Sequence, residues 1–124
     1  MQIAIIPADP ARPIELREIA DGDARTADIA GIVGGDPSPL NISSYAMNMY
    51  AHWNGNAEGL PRNHRATVLA NWAEAVRSHD TVAGDVVLTG PKDPAGNDLP
   101  IMANHQWWLG RFDAELSEPV TDGN

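Results

Sequence analysis

The chain has 124 residues, 43% of them hydrophobic and 20% charged, with a net charge of −9 and no cysteine. That composition describes one globular domain able to bury a core, and it excludes disulfides, thiol catalysis, cysteine-ligated zinc and iron–sulfur clusters. An acidic excess repels nucleic acid, whose phosphates demand cations, and no apolar run approaches membrane-spanning length, so neither nucleic acid nor membrane is an expected partner.

The N-terminus lacks the basic start and long apolar stretch of a signal peptide, since Ile3-Ala4-Ile5-Ile6 is halted by Pro7. The expected location is cytoplasmic, in the host cytoplasm if the chain is phage-encoded. Gln2 to Ile6 reads as a strand. After the breaker-rich Pro7 to Arg12, the alternation Pro13-Ile14-Glu15-Leu16-Arg17-Glu18 gives a second strand, and the two suggest a hairpin. Asp21 and Asp23 are candidate caps for a helix carrying Ile29, Ile32 and Val33, which Gly34-Gly35 ends. Asp36-Pro37-Ser38-Pro39 reads as a connector and Leu40 to Ser43 as a brief strand. Tyr45 to Trp53 is the clearest strand, with Tyr45, Met47, Met49, Ala51 and Trp53 on one face. Asn54-Gly55 supplies a two-residue hairpin turn, with a short return strand ending near Gly59 or Leu60.

Leu69, Trp72, Ala73 and Val76 then keep helical spacing over His64 to Ser78, with Asn63 as cap and Ser78-His79-Asp80 as stop. Val82 to Thr89 is a strand, the segment from Gly90 to Asp98 a long turn, and Leu99 to Ala103 a returning strand. Asn104 caps a final helix with Leu109, Phe112 and Leu116 in phase. These pieces predict an α+β fold in a single domain over 1–116, followed by an acidic flexible tail over 117–124. The sheet is mostly antiparallel with about five or six strands; two main helices lie on one face, and a short helix closes the chain. Charge is uneven, at −4 over 1–36, +1 over 37–79 and −6 over 80–124.

The least acidic third contains Leu60-Pro61-Arg62-Asn63-His64-Arg65-Ala66-Thr67, directly before the helical pattern. Two readings stand side by side. In one, the helix start is an anion pocket in which Arg62, His64 and the planar Arg65 fork grip a nucleotide-like anion while Asn63 and Thr67 orient it. In the other, Asn63 is a helix cap and the arginines are solvated or paired with acids.

An opening strand that runs into Pro7-Ala8-Asp9 and a helix closing in Val33-Gly34-Gly35-Asp36 come first in the chain. A strand rich in Met and Tyr, the Leu60–Thr67 window and Ala83-Gly84-Asp85-Val86-Val87 follow in the same order. This series resembles the DUF thirty-eight forty-six family, a domain of unknown function common in bacteriophage and actinobacterial genomes, over roughly residues 1–90. The resemblance implies a small phage-type accessory protein and no particular activity. Asn63, Arg65, Ala66, Thr67, Gly84 and Asp85 match its signature without an assigned role. Only one lysine against seven arginines fits a high-GC genome.

Catalytic motifs are missing from the sequence. Ser43-Ser44 and Ser78-His79-Asp80 contain nucleophile and base types, but neighbours in sequence do not converge as a triad does. His52, His64, His79 and His105 lack the close spacing of metal ligands, so no metal and no cofactor are expected. Trp53 and Trp72 are expected in the core. Trp107 and Trp108 cannot point the same way on a helix, so either one of them serves a partner surface or both are buried under the acidic tail. The leading expectation is a non-enzymatic accessory protein that binds a host protein or forms a homodimer, with Trp107 and Trp108 as contact residues. The alternative is a small-ligand binder at Arg62, Asn63, His64, Arg65 and Thr67. A weaker one is an acidic mimic of DNA.

Overall fold

Apolar side chains at every position from Ile3 to Ile6 suit a strand buried on both faces, and this segment is the strand β1 (Gln2–Ile6). The computed structural model describes residues 1–76 and 80–117. β1 pairs antiparallel with β2 (Glu15–Glu18), in the register Gln2↔Glu18 to Ile5↔Glu15. The first helix, α1 (Ala24–Val33), closes at Gly34, whose φ of 85° lets its N–H reach the carbonyl of Ala30. β3 (Pro37–Ile42) and β4 (Met47–His52) form a hairpin across a single 3-10 turn at Ser43–Tyr45. Helix α2 (His64–Trp72), strand β5 (Val86–Thr89) and helix α3 (Ala103–Ser117) complete the chain. The sheet order is β2-β1-β5-β4-β3, with each neighbouring pair antiparallel. The α+β class, the antiparallel sheet and the N-terminal hairpin are those the sequence predicts.

Alternation along the strands sorts the interior into two cores. Ala4, Ile6, Met47, Met49, Val86 and Leu88 face α2 and α3, meeting Ala66, Leu69, Ala70, Leu109 and Phe112. Ile3, Ile5 and Val87 face the other way, against Ile29 and Val33 of α1. Fully burying each large aliphatic side chain stabilises the fold by about 1.5–3 kcal/mol. Helices therefore lie on both faces of the sheet. The sequence-based picture of two main helices on one face does not anticipate this, because both helices show an apolar stripe and neither stripe says which face it meets.

Several elements also end elsewhere than expected. α2 stops at Trp72, short of Ser78, because Glu74 adopts the left-handed conformation at φ 57° and Ala75 N–H bonds to the carbonyl of Ala70. No glycine marks that stop, and a non-glycine residue there carries a cost of about 1–2 kcal/mol. The expected stop at Ser78-His79 lies outside the described residues, as does the acidic tail beyond residue 117. The connector Pro37-Ser38-Pro39 is part of β3, which tolerates prolines because it is an edge strand. Residues 53–59 form successive turns with no return strand. Leu99 to Met102 is not a strand, though Ile101 N–H bonds to the carbonyl of Gln2. Asn104 does not cap α3: His105 reaches back, its Nδ1 accepting from Met102 N–H at 2.9 Å. At fifteen residues, α3 is longer than the short closing helix expected.

Candidate functional site

The Arg62–Thr67 window sits where α2 begins, under the loop that joins β1 to β2. Asn63 is fully buried. Its Oδ1 accepts from Ala66 N–H at 3.0 Å, and its Nδ2 donates to the carbonyls of Ile6 and Gly84 at 2.8 and 2.9 Å. The cap expected of Asn63 is present, and the same amide also ties α2 to β1 and to the approach of β5. Thr67 Oγ1 donates to the carbonyl of Asn63 at 2.7 Å and accepts from Val82 N–H at 2.9 Å.

Arg65 is 4% exposed. Its Nη1 donates to Asp113 Oδ1 at 2.7 Å, while Nη2 meets the carbonyls of Pro7, Asp9 and Arg12 at 2.9, 3.1 and 2.7 Å. Asp113 Oδ2 accepts from Ile14 N–H at 2.9 Å, and Asp85 Oδ1 accepts from Ala8 N–H at 2.8 Å. Arg65, Asp113 and Asp85 thus clamp the 7–14 loop against α2, α3 and the approach of β5, while Asn63 and Thr67 tie the same helix start to β1 and to residues 82–84. Acceptors from this chain already occupy both terminal nitrogens of the Arg65 fork. Arg62 and His64 are exposed beside it, and with Ala8, Pro10, Arg65 and Leu116 they line a cavity of about 110 Å³. Sites for drug-sized ligands run to roughly 300–1,000 Å³.

The histidines are dispersed. His52 Nδ1 accepts from Asn54 N–H at 2.9 Å, His64 is exposed, His105 lies in the first turn of α3, and His79 falls outside the described residues. Among the described residues, no group of three or more His, Asp or Glu side chains is placed to hold a metal ion. Ser43 and Ser44 occupy the 3-10 turn, and Ser78-His79 lie outside the described residues.

A polar cluster that sequence reasoning missed stands on the α1 face of the sheet. Tyr50 Oη donates to Asp98, with Oδ2 at 2.7 Å, and Lys92 Nζ reaches Asp98 Oδ1 at 3.0 Å and Tyr50 Oη at 3.2 Å. Burial, reinforced by the bond to Asp98, pushes the Tyr50 hydroxyl above its ordinary pKa. Burial alone would lower Lys92, but its bonds to Asp98 and Tyr50 outweigh that and raise it. An isolated β-bridge, Lys92↔Asp98, brings the two charges together inside a stretch that reads only as a breaker-rich turn.

The most exposed aromatic surface lies between α2 and α3. Tyr45, Trp108, Phe112 and Trp72 form a continuous row, with ring centroids 5.0, 5.1 and 5.6 Å apart. Trp72 is 50% exposed and Trp107 66% exposed. Trp72 was expected in the core; it lies on the flank of α2 while Ala66, Leu69 and Ala70 fill the interior. Trp53, also expected in the core, is 62% exposed, because β4 ends at His52 and the chain turns before the alternation can continue. Trp107 and Trp108 diverge: Trp108 joins the row, while Trp107 lies under the Arg111 guanidinium at 5.3 Å. With Trp72, Phe112, Arg111 and Glu115 they line a cleft of about 310 Å³.

A family model described as "Domain of unknown function (DUF3846)" matches residues 1–108. No curated protein and no solved structure matches. The match spans most of the chain, from β1 into α3, and the chain belongs to that family.

Proposed function

We propose, proceeding from membership of a family without an assigned activity, that this chain is a non-enzymatic, phage-type accessory protein that acts by binding protein. Its contact face is the aromatic surface between α2 and α3, and its first partner is a second copy of itself. The observation that carries this reading is the pair of exposed tryptophans, Trp72 and Trp107, set around one cleft with Arg111 and Glu115. Tryptophan and arginine dominate the energetics of protein interfaces, because each presents a large rigid surface with a polar handle.

Charge selects the partner. Arg111 and Glu115 stand one turn apart, in the order less favourable for a pair within one helix. Two α3 helices packed antiparallel about a two-fold axis would set Arg111 of one copy against Glu115 of the other, twice. The sheet edges support association through helices instead. β2 carries Glu15, Arg17 and Glu18, and β3 carries Pro37 and Pro39, which have no N–H to donate. The anion-binding reading of Arg62, Asn63, His64, Arg65 and Thr67 draws less support, since internal hydrogen bonds already employ Asn63, Arg65 and Thr67.

Sedimentation velocity over a range of concentrations tests the proposal. A dimer is expected that Trp107→Ala or Arg111→Glu dissociates and that the charge swap Arg111→Glu with Glu115→Arg restores. A wild-type chain that stays monomeric at high micromolar concentration rejects self-association. A host protein captured by the wild-type chain and not by Trp107→Ala would then identify the partner as a different chain.

A further inference from the structure

Asn41 and Asn48 stand opposite each other as paired residues of β3 and β4. Their side chains share the α1 side of the sheet with Tyr50, because Met47 and Met49 point towards α2 and α3. Each amide is committed at one end only. Asn41 Oδ1 accepts from Ser43 N–H at 2.9 Å, and Asn48 Nδ2 donates to the carbonyl of Gly90 at 3.1 Å. Those bonds fix which end of each amide is oxygen and which is nitrogen. Among the described residues, Asn41 Nδ2 and Asn48 Oδ1 have no partner. Neither is sealed from solvent: Asn41 is exposed, and the buried unpartnered side-chain atom among the described residues is His105 Nε2. With β3 on one side and β5 on the other, Asn48 meets solvent over the face of the sheet, in a cleft of about 560 Å³ that both asparagines line. That volume is within the range of small-molecule sites.

We infer that this cleft binds an uncharged molecule with an exposed amide edge, a carbonyl beside an N–H as in a lactam ring. The carbonyl accepts from Asn41 Nδ2, and the N–H donates to Asn48 Oδ1. Directly paired strand residues have Cβ atoms about 4.5–5.5 Å apart, so one ligand edge can meet both free amide ends at once. Pro39, Leu40 and Pro91 line the same cleft and supply apolar surface for the remainder of the ligand. Among the described residues of the lining, Lys92 alone is charged, and its ammonium already lies 3.0 Å from Asp98 Oδ1. A carboxylate or phosphate would have to compete with Asp98 for that ammonium, whereas a neutral amide leaves the pair intact. The site lies across the sheet from α2 and α3, so it stands or falls independently of self-association.

The test is a titration of the nitrogen-15-labelled full chain with uracil, whose ring carries the amide edge. Its control is dimethyluracil methylated on both ring nitrogens, which keeps the ring and both carbonyls and has no N–H. The side-chain amide resonances of Asn41 and Asn48 report on the site directly. Uracil is expected to shift both towards saturation by about 20 mM, the range for so small a ligand. It should bind about five- to tenfold tighter than the dimethyl analogue, the gain from one net hydrogen bond. Asn41→Asp keeps an oxygen for Ser43 N–H and removes the Nδ2 donor, so uracil should then bind at least about fivefold more weakly. Unmoved Asn41 and Asn48 resonances in the wild-type chain overturn the inference without recourse to any variant. Equal affinity for the two probes overturns it as well, as does an Asn41→Asp chain that binds uracil as tightly as wild type.

Discussion

Arg65 and Asp113 meet at 2.7 Å across 48 positions of sequence and join the start of α2 to the middle of α3. Their side chains are 4% and 15% exposed, and the same two residues hold the 7–14 loop through Pro7, Asp9, Arg12 and Ile14. Removing one partner from such a pair leaves a buried charge uncompensated. Asp113→Ala is predicted to lower stability by about 3–5 kcal/mol. Arg65→Lys should cost about 1–3 kcal/mol, because a single ammonium cannot span a carboxylate and three carbonyls as the fork does. Urea unfolding of the three proteins, read by tryptophan fluorescence, measures both differences; an Asp113→Ala midpoint equal to wild type would refute the clamp.

Asn63 offers a sharper test of the same region, because its two ends do different work. The Oδ1 end caps α2, and the Nδ2 end bridges the carbonyls of Ile6 and Gly84. Serine keeps a cap acceptor and gives up both bridges. Aspartate also keeps the cap, but sets a carboxylate oxygen against two carbonyl oxygens in a fully buried site. Asn63→Asp is therefore predicted to destabilise more than Asn63→Ser at pH 7, reversing the usual near-equality of aspartate and serine as helix caps. Paired thermal melts decide it, and equal melting temperatures would assign Asn63 a capping role alone.

What was legible in the sequence follows from which interactions are local. The Asn63 cap, the Gly34 stop and the two-fold alternation of β4 all depend on near neighbours, and all are read from residue type and spacing. The positions that the sequence reading groups as a signature, Asn63, Arg65, Ala66, Thr67, Gly84 and Asp85, are visible as a set, but the contacts they share are not. Their partners include backbone carbonyls at Ile6, Pro7, Asp9 and Arg12, and a carbonyl carries no sequence signal. Trp53 and Trp72 were misplaced for a related reason. Each keeps the apolar period of its element, yet β4 ends one residue before Trp53 and α2 ends at Trp72. Glu74, in the left-handed conformation without being glycine, is the kind of stop that residue type does not announce.

Tyr50 and Lys92 make a prediction in alkaline solution. Both have pKa values raised in the folded chain, from ordinary values of 10.0 and 10.5. A group whose pKa rises on folding contributes its full stabilisation below the unfolded value and loses it as pH climbs through the folded one. Their joint contribution should therefore hold below about pH 10 and fade above it. Tyr50→Phe removes the phenolic proton and one bond to Asp98, so its stability curve should fall less steeply in that window. Denaturant midpoints from pH 8 to 11.5 for the two proteins measure the slopes, and parallel curves would exclude a linked titration at Tyr50.

Trp107 and Trp108 are adjacent in sequence, and their surroundings set their roles apart. Trp108 packs between a tilted Tyr45 ring and a stacked Phe112 ring, at 5.0 and 5.1 Å, whereas Trp107 is 66% exposed and meets Arg111 at 5.3 Å. Truncating a largely buried tryptophan costs roughly 3–5 kcal/mol, a figure reduced where burial is partial, so Trp108→Ala should lose about 2–3 kcal/mol. Trp107→Ala gives up one exposed cation–π contact and should change monomer stability by less than about 1 kcal/mol. Association is predicted to respond in the opposite order. Trp107→Ala should weaken the dimer while leaving the unfolding midpoint of the monomer nearly fixed, and Trp108→Ala should lower that midpoint first. Unfolding curves taken at two protein concentrations separate the effects, because only unfolding linked to dimer dissociation has a midpoint that depends on concentration. A Trp107→Ala chain whose concentration dependence matches wild type would place the contact face away from α3.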